Sequence, residues 1–373
     1  MNFGAINNAT GQGSGYDNFT NQSTSIVRGE SQDLTTNFDT DSNYLVYSYV
    51  WIDWNRDGDF YDANETFDLG FTNDEIDGPT SNSALTITVP IDAELGNTHM
   101  RVASQFYYTQ IPTHGPCDGS TDGEVEDYNV TILPIIIYTY NNGWLPSDPN
   151  GINPIVNDIL IVADTANFSS DISCTNFTVN PGANVTVISS VTINVSNEMV
   201  LESSSMSYSS LILDVDGIIN GNVSCKRHVN HAFGNGSATG DNDLISPPLS
   251  GQNFGNFRAA NPNILSGTIN GNLAFLFGPS DPETVIYTLY TPSDDDSTLN
   301  AGTGYLTYST DESTYTFTRT IEKNEVNVPS VSGGASNWNL IGNPYPIYTY
   351  AQDFLSEIAN SGLINENATI PLV

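Results

Sequence analysis

The sequence predicts an all-β chain in three parts. These are an N-terminal β-sandwich or jelly roll, a short β-solenoid-like or sandwich segment, and a C-terminal β-rich domain with one short helix. Short stretches alternate apolar and polar residues, as half-buried strands do. Glycine, asparagine and serine cluster between these stretches and predict turns. We place the three parts at residues 1–134, 135–231 and 232–373.

Composition narrows the classes of function. The chain has 373 residues, with 8 lysines and arginines against 43 aspartates and glutamates, a formal net charge of −35. Such a field repels the phosphates of nucleic acids and anionic membrane surfaces, so we expect neither as a partner. Charged residues make up only 14% and hydrophobic residues 38%, which indicates a folded chain rather than an acidic tail. The sequence lacks an apolar run long enough to insert into a membrane.

The first part contains two clear strand patterns. Leu85–Val89 alternates apolar and polar residues and stops at Pro90, because proline cannot donate to a sheet ladder. His99–Tyr108 is the second predicted strand. Many short strands joined by turns rich in glycine and asparagine favour a sandwich or jelly roll.

The segment that starts at Asp53 has oxygen-bearing side chains at alternate positions. Asp53, Asn55 and Asp57 are followed by Gly58, which permits a sharp turn. This spacing matches the start of a calcium-binding loop, in which Ca²⁺ takes about six to eight oxygen ligands. The alternative is an acidic, solvated turn that binds nothing, since aspartate and glycine are common turn residues.

The end of the loop differs from an EF-hand. Position 12 of the loop is Asn64, and the acidic residue Glu65 follows it. The alternating residues before Asp53 also predict a strand rather than a helix. We therefore expect one Ca²⁺ in a loop between strands, with these ligands: the side chains of Asp53, Asn55, Asp57 and Glu65, and the backbone carbonyl of Asp59.

Three separated motifs occur in a fixed order at Ile52–Phe60, Val89–Val102 and Gly123–Tyr128. Together they resemble the GEVED domain family over about residues 1–133. The resemblance implies an accessory module of large secreted and cell-surface bacterial proteins, often exported by the type IX route. It also supports a Ca²⁺ site at the loop. Family members usually have an earlier strand with a cysteine, so we expect the N-terminus to be truncated.

The closing motif supplies further acidic residues. Glu124 and Glu126 lie on one face of the predicted strand and Asp127 on the other. We expect one of these acids to pair with Arg101 and another to approach the ion, and we include Glu126 among the metal ligands. The sequence leaves open which acid takes which role.

The three cysteines are an odd number, so at least one lacks an internal partner. Cys174 and Cys225 either pair with each other or are two buried free thiols. The family resemblance implies that Cys117 has lost a partner in the missing strand.

The second part has closely spaced short strand patterns. Asparagine, serine and glycine corners between them suggest stacked coils, and a second sandwich is the alternative. Cys174–Val187 resembles a segment that is common in the same secreted proteins. The predicted strands are Asp158–Asp164, Asn176–Asn180, Asn184–Ser189, Val191–Ser196, Met199–Ser203 and Leu211–Val215.

The third part combines strands with a late helix. Trp338–Pro346 resembles a motif of the same surface proteins, after which we expect a short helix. Thr349 and Gln352 have capping-box spacing, and Gly362 can end the helix. We expect the C-terminus to be truncated too. The predicted strands are Leu273–Phe277, Thr284–Tyr290, Tyr305–Tyr308 and Thr314–Thr320.

Motifs of catalysis are missing from the sequence. It contains no serine nucleophile elbow, no phosphate-binding P-loop and no H-E-x-x-H zinc motif, so we expect no enzyme. The leading hypothesis is a calcium-stabilised extracellular segment for adhesion or scaffolding. The alternative is a carbohydrate-binding segment attached to a polysaccharide-degrading enzyme. Expected partners are extracellular glycans or surface proteins, with Tyr107–Tyr108 and Tyr345–Tyr350 as candidate sugar contacts.

Overall fold

The structure is a computed structural model. It describes residues 1–11, 15–107, 115–118, 122–151, 157–232, 242–281, 284, 286–328, 339–349, 353–354 and 356. Its contacts divide the chain into two compact units, Met1–Ile136 and Ile137–Val373. Strands dominate the described residues, which confirms the all-β prediction. The division into three parts stays a prediction.

The first unit contains strands β1 to β11. They are β1 (Asn2–Phe3), β2 (Ile6–Asn7), β3 (Tyr16–Val27), β4 (Ser31–Thr35), β5 (Asn37–Phe38), β6 (Leu45–Ile52), β7 (Thr66–Asn73), β8 (Gly78–Pro79), β9 (Leu85–Thr88), β10 (Gly96–Tyr107) and β11 (Val125–Leu133).

Two sheets of this unit pack as a β-sandwich. One has the strand order β2-β1-β4-β9, and the other has the order β3-β11-β10-β6-β7. Strands β3 and β11 pair in parallel, and β11, β10, β6 and β7 pair antiparallel. Phe3 and Leu34 from the first sheet share one buried cluster with Val50, Val102 and Tyr128 from the second. This shared core confirms the predicted sandwich.

Strands β6 and β7 form the hairpin that carries the acidic loop. Trp51 on β6 lies opposite Thr66 on β7, and the loop connects the two strands directly after Ile52. On the other side, β10 pairs with β6, so that Met100 faces Ile52. Strands therefore flank the loop, as the alternating pattern predicted.

The second unit contains strands β12 to β27 and two short helices. The strands are β12 (Ile137–Asn141), β13 (Trp144–Leu145), β14 (Asp158–Ala163), β15 (Thr165–Phe168), β16 (Ile172–Val179), β17 (Asn184–Val187), β18 (Thr192–Leu201), β19 (Ser210–Leu213), β20 (Ile218–His228), β21 (Asp243–Ile245), β22 (Ser266–Ile269), β23 (Asn272–Phe275), β24 (Phe277–Asp281), β25 (Ile286–Tyr287), β26 (Tyr305–Thr307) and β27 (Thr314–Thr318). The helices are α1 (Phe254–Ala260) and a 3₁₀ turn (Pro292–Asp294).

Successive coils of the second unit stack as a small β-solenoid. Strands β12, β14, β16, β18 and β20 pair in parallel in one sheet, and β15, β17 and β19 do so in another. Ile161, Val179, Leu201 and Cys225 lie in register across four strands, and all four are buried. Of the two alternatives that the sequence left open, the structure shows the solenoid.

Polar side chains stack along one corner of the coils. Asn176 donates to Asp158 at 2.9 Å, Asn197 donates to Asn176 at 2.7 Å, and Asn222 donates to the Asn197 carbonyl at 3.4 Å. Beside Asn176 strand β18 has one extra residue relative to β16, and around Asn197 it has two extra residues relative to β20; such bulges bend a strand. The asparagine amides therefore donate to neighbouring coils at the point where strand pairing is interrupted.

The last part of the chain shares the solenoid core. Strand β27 pairs antiparallel with β20 and ends the seven-stranded sheet. Phe257 of α1 stacks on Phe317 of β27 with 4.8 Å between ring centroids. One buried cluster runs from Tyr138 to Phe317, across the boundary predicted at residue 231.

The helices differ in part from expectation. Helix α1 was not predicted; the Asn253 side chain caps it by accepting from the Asn256 backbone N–H at 2.9 Å. Most of the helix predicted after Thr349 lies outside the described residues, but Asp353 and Phe354 are helical. Among the described residues, no helix has the length and apolarity needed to cross a membrane.

The motif that ends at Pro346 contacts the solenoid. The Leu211 backbone N–H donates to the Pro346 carbonyl at 2.7 Å. The Tyr348 ring stacks on Tyr208 with centroids 4.0 Å apart, and its hydroxyl donates to the Tyr208 carbonyl at 2.6 Å. Tyr348, a candidate sugar contact, therefore has a packing role here. Trp338, the first residue of the motif, lies outside the described residues.

All three cysteines are free thiols. Cys117 is exposed, and Cys174 and Cys225 are buried in the second unit. Burial raises the pKa of Cys174 to about 12, which makes its thiol unreactive near neutral pH. Of the two alternatives for Cys174 and Cys225, the structure therefore shows two separate buried thiols.

We predict that Phe168→Ala destabilises the second unit. Phe168 is fully buried, and its ring contacts Trp144 at 5.6 Å and Phe177 at 5.4 Å between centroids. Removing such a side chain leaves a cavity and should cost about 3–5 kcal/mol in the free energy of unfolding. Denaturant unfolding of the full chain measures this, with the neighbouring exposed Asn167→Ala as control. A loss equal to that of the control would contradict the prediction.

Candidate metal centre

The acidic loop is anchored at both ends by backbone hydrogen bonds. The Ile52 N–H donates to the Glu65 carbonyl at 3.0 Å, and the Asp53 N–H donates to the His99 carbonyl at 3.2 Å. At the turn, Gly58 has a φ of 94°, a left-handed conformation that glycine adopts without steric cost. The loop thus leaves and rejoins the sheet at Asp53 and Glu65.

Within the loop, side chains hold the backbone in successive tight turns. Asn55 Oδ1 accepts from the Asp57 N–H at 3.0 Å, and Asp57 Oδ1 accepts from the Asp59 N–H at 3.1 Å. Asp59 Oδ1 accepts from the Tyr61 N–H at 2.9 Å. Each of these turns uses one lone pair of a side-chain oxygen, and the second lone pair of that oxygen can still bind a ligand.

Two carboxylates of the loop are buried. Asp53 is 4% exposed and Glu65 is 1% exposed. Asp53 Oδ2 accepts from the Gly58 N–H at 3.2 Å, and Glu65 Oε1 accepts from the Trp54 N–H at 2.7 Å. The second oxygen of each group, Asp53 Oδ1 and Glu65 Oε2, is buried without a hydrogen-bond partner among the described residues.

These unpaired oxygens are electrostatically unfavourable. Burial is the main cause that raises the pKa of Glu65, and the nearby charge of Asp53 raises it further. Hydrogen bonds from the Trp54 and Asn55 backbone oppose the shift but do not cancel it. A buried carboxylate oxygen without a partner costs several kcal/mol unless a cation compensates it. The two groups therefore have the chemistry of metal ligands.

A second set of acids lies at the exposed side of the loop. Carboxylate oxygens of Asp57, Asp59 and Asp62 lie within 4.8 Å of one another. Asn55 Nδ2 donates to Asp57 Oδ2 at 3.2 Å and to Asp62 Oδ2 at 2.8 Å. Asp62 was not among the predicted ligands because it does not occupy a ligand position of an EF-hand loop. It also falls outside the alternation of Asp53, Asn55, Asp57 and Asp59, so its only signal in the sequence is that it is a further acidic residue of the same loop.

The structure brings five of the six predicted ligands together in this loop. They are Asp53, Asn55, Asp57, Asp59 and Glu65.

Glu126 has other contacts. Its carboxylate accepts from Thr10 Oγ1 at 2.7 Å and from the Tyr128 hydroxyl at 2.6 Å. It shares a strand face with Tyr128, whereas Phe60 of the loop packs against Val125 on the opposite face. The strand alternation thus directs Glu126 away from the loop, and these contacts do not support a role as a ligand.

Arg101 pairs with the third acid of the closing motif. Its Nε and Nη2 donate to Asp127 Oδ1 and Oδ2, both at 2.7 Å, and its Nη1 donates to the Pro116 carbonyl at 2.7 Å. Arg101 and Asp127 are directly opposite each other on β10 and β11. This confirms the prediction that Arg101 binds one of the three acids and identifies the acid as Asp127.

Residues 47–131 match the GEVED domain family. The match runs from β6 to β11 and so includes the acidic loop, Arg101 and Asp127. Comparison with curated proteins and with solved structures gave no match. The metal-binding candidate and the Arg101 ion pair therefore lie in the part of the chain that matches this family.

We predict that Arg101→Lys destabilises the first unit. The side chains of Arg101 and Asp127 are 22% and 14% exposed, so solvent screens the pair only in part. Lysine keeps the charge but cannot form two parallel hydrogen bonds to one carboxylate. We expect a loss of about 1–3 kcal/mol in the free energy of unfolding. Denaturant unfolding compared with Arg28→Lys, in the same unit, measures this loss; equal stability of the two variants would contradict it.

Proposed function

We propose that this chain is a non-enzymatic, calcium-binding segment of a secreted or cell-surface bacterial protein, with an adhesive or scaffolding role. The observation that supports it best is the pair of buried oxygens without partners, Asp53 Oδ1 and Glu65 Oε2. Both belong to residues that the loop motif identifies as ligands. A cation between the loop ends would compensate both charges.

The donor set favours Ca²⁺ over other metals. It consists of carboxylate, amide and backbone oxygens, and thiol or imidazole ligands are missing from the loop. Ca²⁺ accepts many oxygen ligands in flexible geometry, whereas Mg²⁺ demands a near-octahedral shell and keeps several waters. The proposed ligands are Asp53, Asn55, Asp57, Asp59, Asp62 and Glu65.

The position of the loop favours a structural role for the ion. The loop connects β6 to β7, and Trp54 at its start is buried in the sandwich core. A cation held by Asp53 and Glu65 would join the two strand ends. The surface location, type IX export and adhesive role come from the resemblance of the motifs to secreted bacterial proteins.

Titration calorimetry with CaCl₂ tests the metal site. We expect the wild-type chain to bind one Ca²⁺ and Asp57→Ala to bind at least about tenfold more weakly, because a charged ligand is lost. Asp92→Ala removes the same charge from an exposed position outside the loop and should bind like wild type.

Thermal unfolding gives a second readout of the same binding. An ion that binds only the folded domain stabilises it by about 2.7 kcal/mol at a hundredfold excess over Kd. Chelator should therefore lower the melting temperature of wild type more than that of Asp57→Ala. Absence of binding heat together with an unchanged melting temperature would refute the calcium site.

A row of aromatic rings supports the second candidate function, carbohydrate binding. The rings of Phe71 and Tyr47 lie 5.9 Å apart, those of Tyr47 and Tyr49 lie 6.2 Å apart, and those of Tyr49 and Trp51 lie 5.7 Å apart. Phe71 is 41% exposed, Tyr47 and Tyr49 are partly exposed, and Trp51 at the end of the row is buried, so the accessible rings are the first three. Such rings offer apolar surface and hydroxyl groups to a sugar. The side chains of three other candidates, Tyr107, Tyr108 and Tyr350, lie outside the described residues.

We predict that any glycan bound by this row is uncharged, because a net charge of −35 repels anionic polysaccharides. Affinity electrophoresis in gels that contain neutral polysaccharides tests this. Tyr47→Ala should weaken retardation about tenfold, and Tyr287→Ala, in the second unit, should not. If Tyr47→Ala leaves the retardation unchanged, the glycan binds outside this row and the row is not the binding site.

A further inference from the structure

The metal loop is connected to a second surface element through Phe60. This residue follows Asp59 in the loop, and its ring is buried in a small cluster with Trp51, Ala103 and Val125. The Arg101 guanidinium carbon lies 5.8 Å from the centroid of the Phe60 ring. The position of Phe60 therefore affects the surroundings of Arg101.

Arg101 in turn contacts the turn Gly115–Asp118. Its Nη1 donates to the carbonyl of Pro116, a buried residue of this turn, at 2.7 Å. Within the turn, the Gly115 N–H donates to Asp118 Oδ2 at 2.8 Å, and the Asp118 N–H donates to the Gly115 carbonyl at 3.2 Å. The Arg101 guanidinium thus connects the buried cluster around Phe60 to a short turn that is distant from Phe60 in sequence.

Tyr61 makes a second connection between the same elements. It follows Phe60 in the loop, and its hydroxyl lies within hydrogen-bonding reach of the Cys117 side chain. Tyr61 and Cys117 are both exposed. Two neighbouring residues of the loop, one buried and one exposed, therefore face the same turn.

We infer that cation binding in the loop controls the order of the Gly115–Asp118 turn, with Phe60 and Arg101 transmitting the effect. This inference rests on the proposed calcium site. Without the cation, the carboxylates of the loop repel one another, and the loop opens more often. Each opening withdraws Phe60 from its cluster and exposes Arg101 to water, which weakens its hydrogen bond to Pro116.

The consequence is a cation-responsive surface formed by Tyr61 and the Gly115–Asp118 turn. The rival possibility is that the Asp127 pair alone holds Arg101, since both residues lie on the paired strands β10 and β11. In that case the turn would not respond to the cation.

Hydrogen exchange by mass spectrometry on the full chain tests the coupling, in excess CaCl₂ and in EGTA. We expect calcium to slow exchange about tenfold both in the loop and in the peptide that contains Gly115–Asp118. Asp57→Ala should need at least about tenfold more CaCl₂ than wild type to show both effects. Slower exchange in the loop with no change at the turn would overturn the inference and leave the calcium site intact. No calcium effect at either place, with no binding heat, would refute the calcium site and the inference together.

Two variants interrupt the connection between the loop and the turn without removing a proposed metal ligand. Phe60→Ala keeps every proposed ligand, so calorimetry should still show calcium binding. In this variant calcium should no longer slow hydrogen exchange at the turn. Phe60→Leu, which keeps an apolar side chain in the cluster, should restore the effect at the turn. Arg101→Gln leaves Phe60 in place and should also abolish the response at the turn but not in the loop. A turn that responds normally in both Phe60→Ala and Arg101→Gln would overturn the inference.

Discussion

The burial of two carboxylates at the β6–β7 junction is the constraint on which the first unit depends. Asp53 and Glu65 lie where the loop leaves and rejoins the sheet, and each has one oxygen that lacks a hydrogen-bond partner in the part of the chain that the structure describes. Such groups are costly inside a protein unless a cation compensates them. The same few residues also position Trp54 in the sandwich core, where its indole N–H donates to the Asn64 carbonyl at 2.9 Å. Core packing and the candidate ion site are thus parts of one local structure.

The second unit depends on a different constraint, the stacking of its coils. A solenoid coil cannot bury its apolar face alone, so stability comes from stacking on neighbouring coils and from covering the last one. Ile161, Val179 and Leu201 form one continuous buried row. Strand β27 and helix α1 then continue the core beyond β20. This arrangement explains why the third part of the chain does not form a core separate from the coils.

Several features could be read from the sequence because they depend on local patterns. Alternation before Asp53 indicated a strand, and the spacing of Asp53, Asn55 and Asp57 indicated the loop. Other features were missed for physical reasons. The long strand β18 (Thr192–Leu201) was predicted as two strands because a register shift near Ser196 interrupts its alternation. Helix α1 is only seven residues long, too short for a periodic pattern to stand out.

The sequence by itself determined the β class, the oxygen-rich loop and the presence of an acid for Arg101, because strand alternation, turn chemistry and charge are local properties. Tertiary structure decided the rest. Strand pairing selected Asp127 for Arg101 by placing the two opposite each other. The sandwich directed Glu126 towards Tyr128 and Thr10 rather than the loop. Burial left one oxygen each of Asp53 and Glu65 without a hydrogen-bond partner among the described residues, since the solvent accessibility of a side chain depends on which distant strands pack over it.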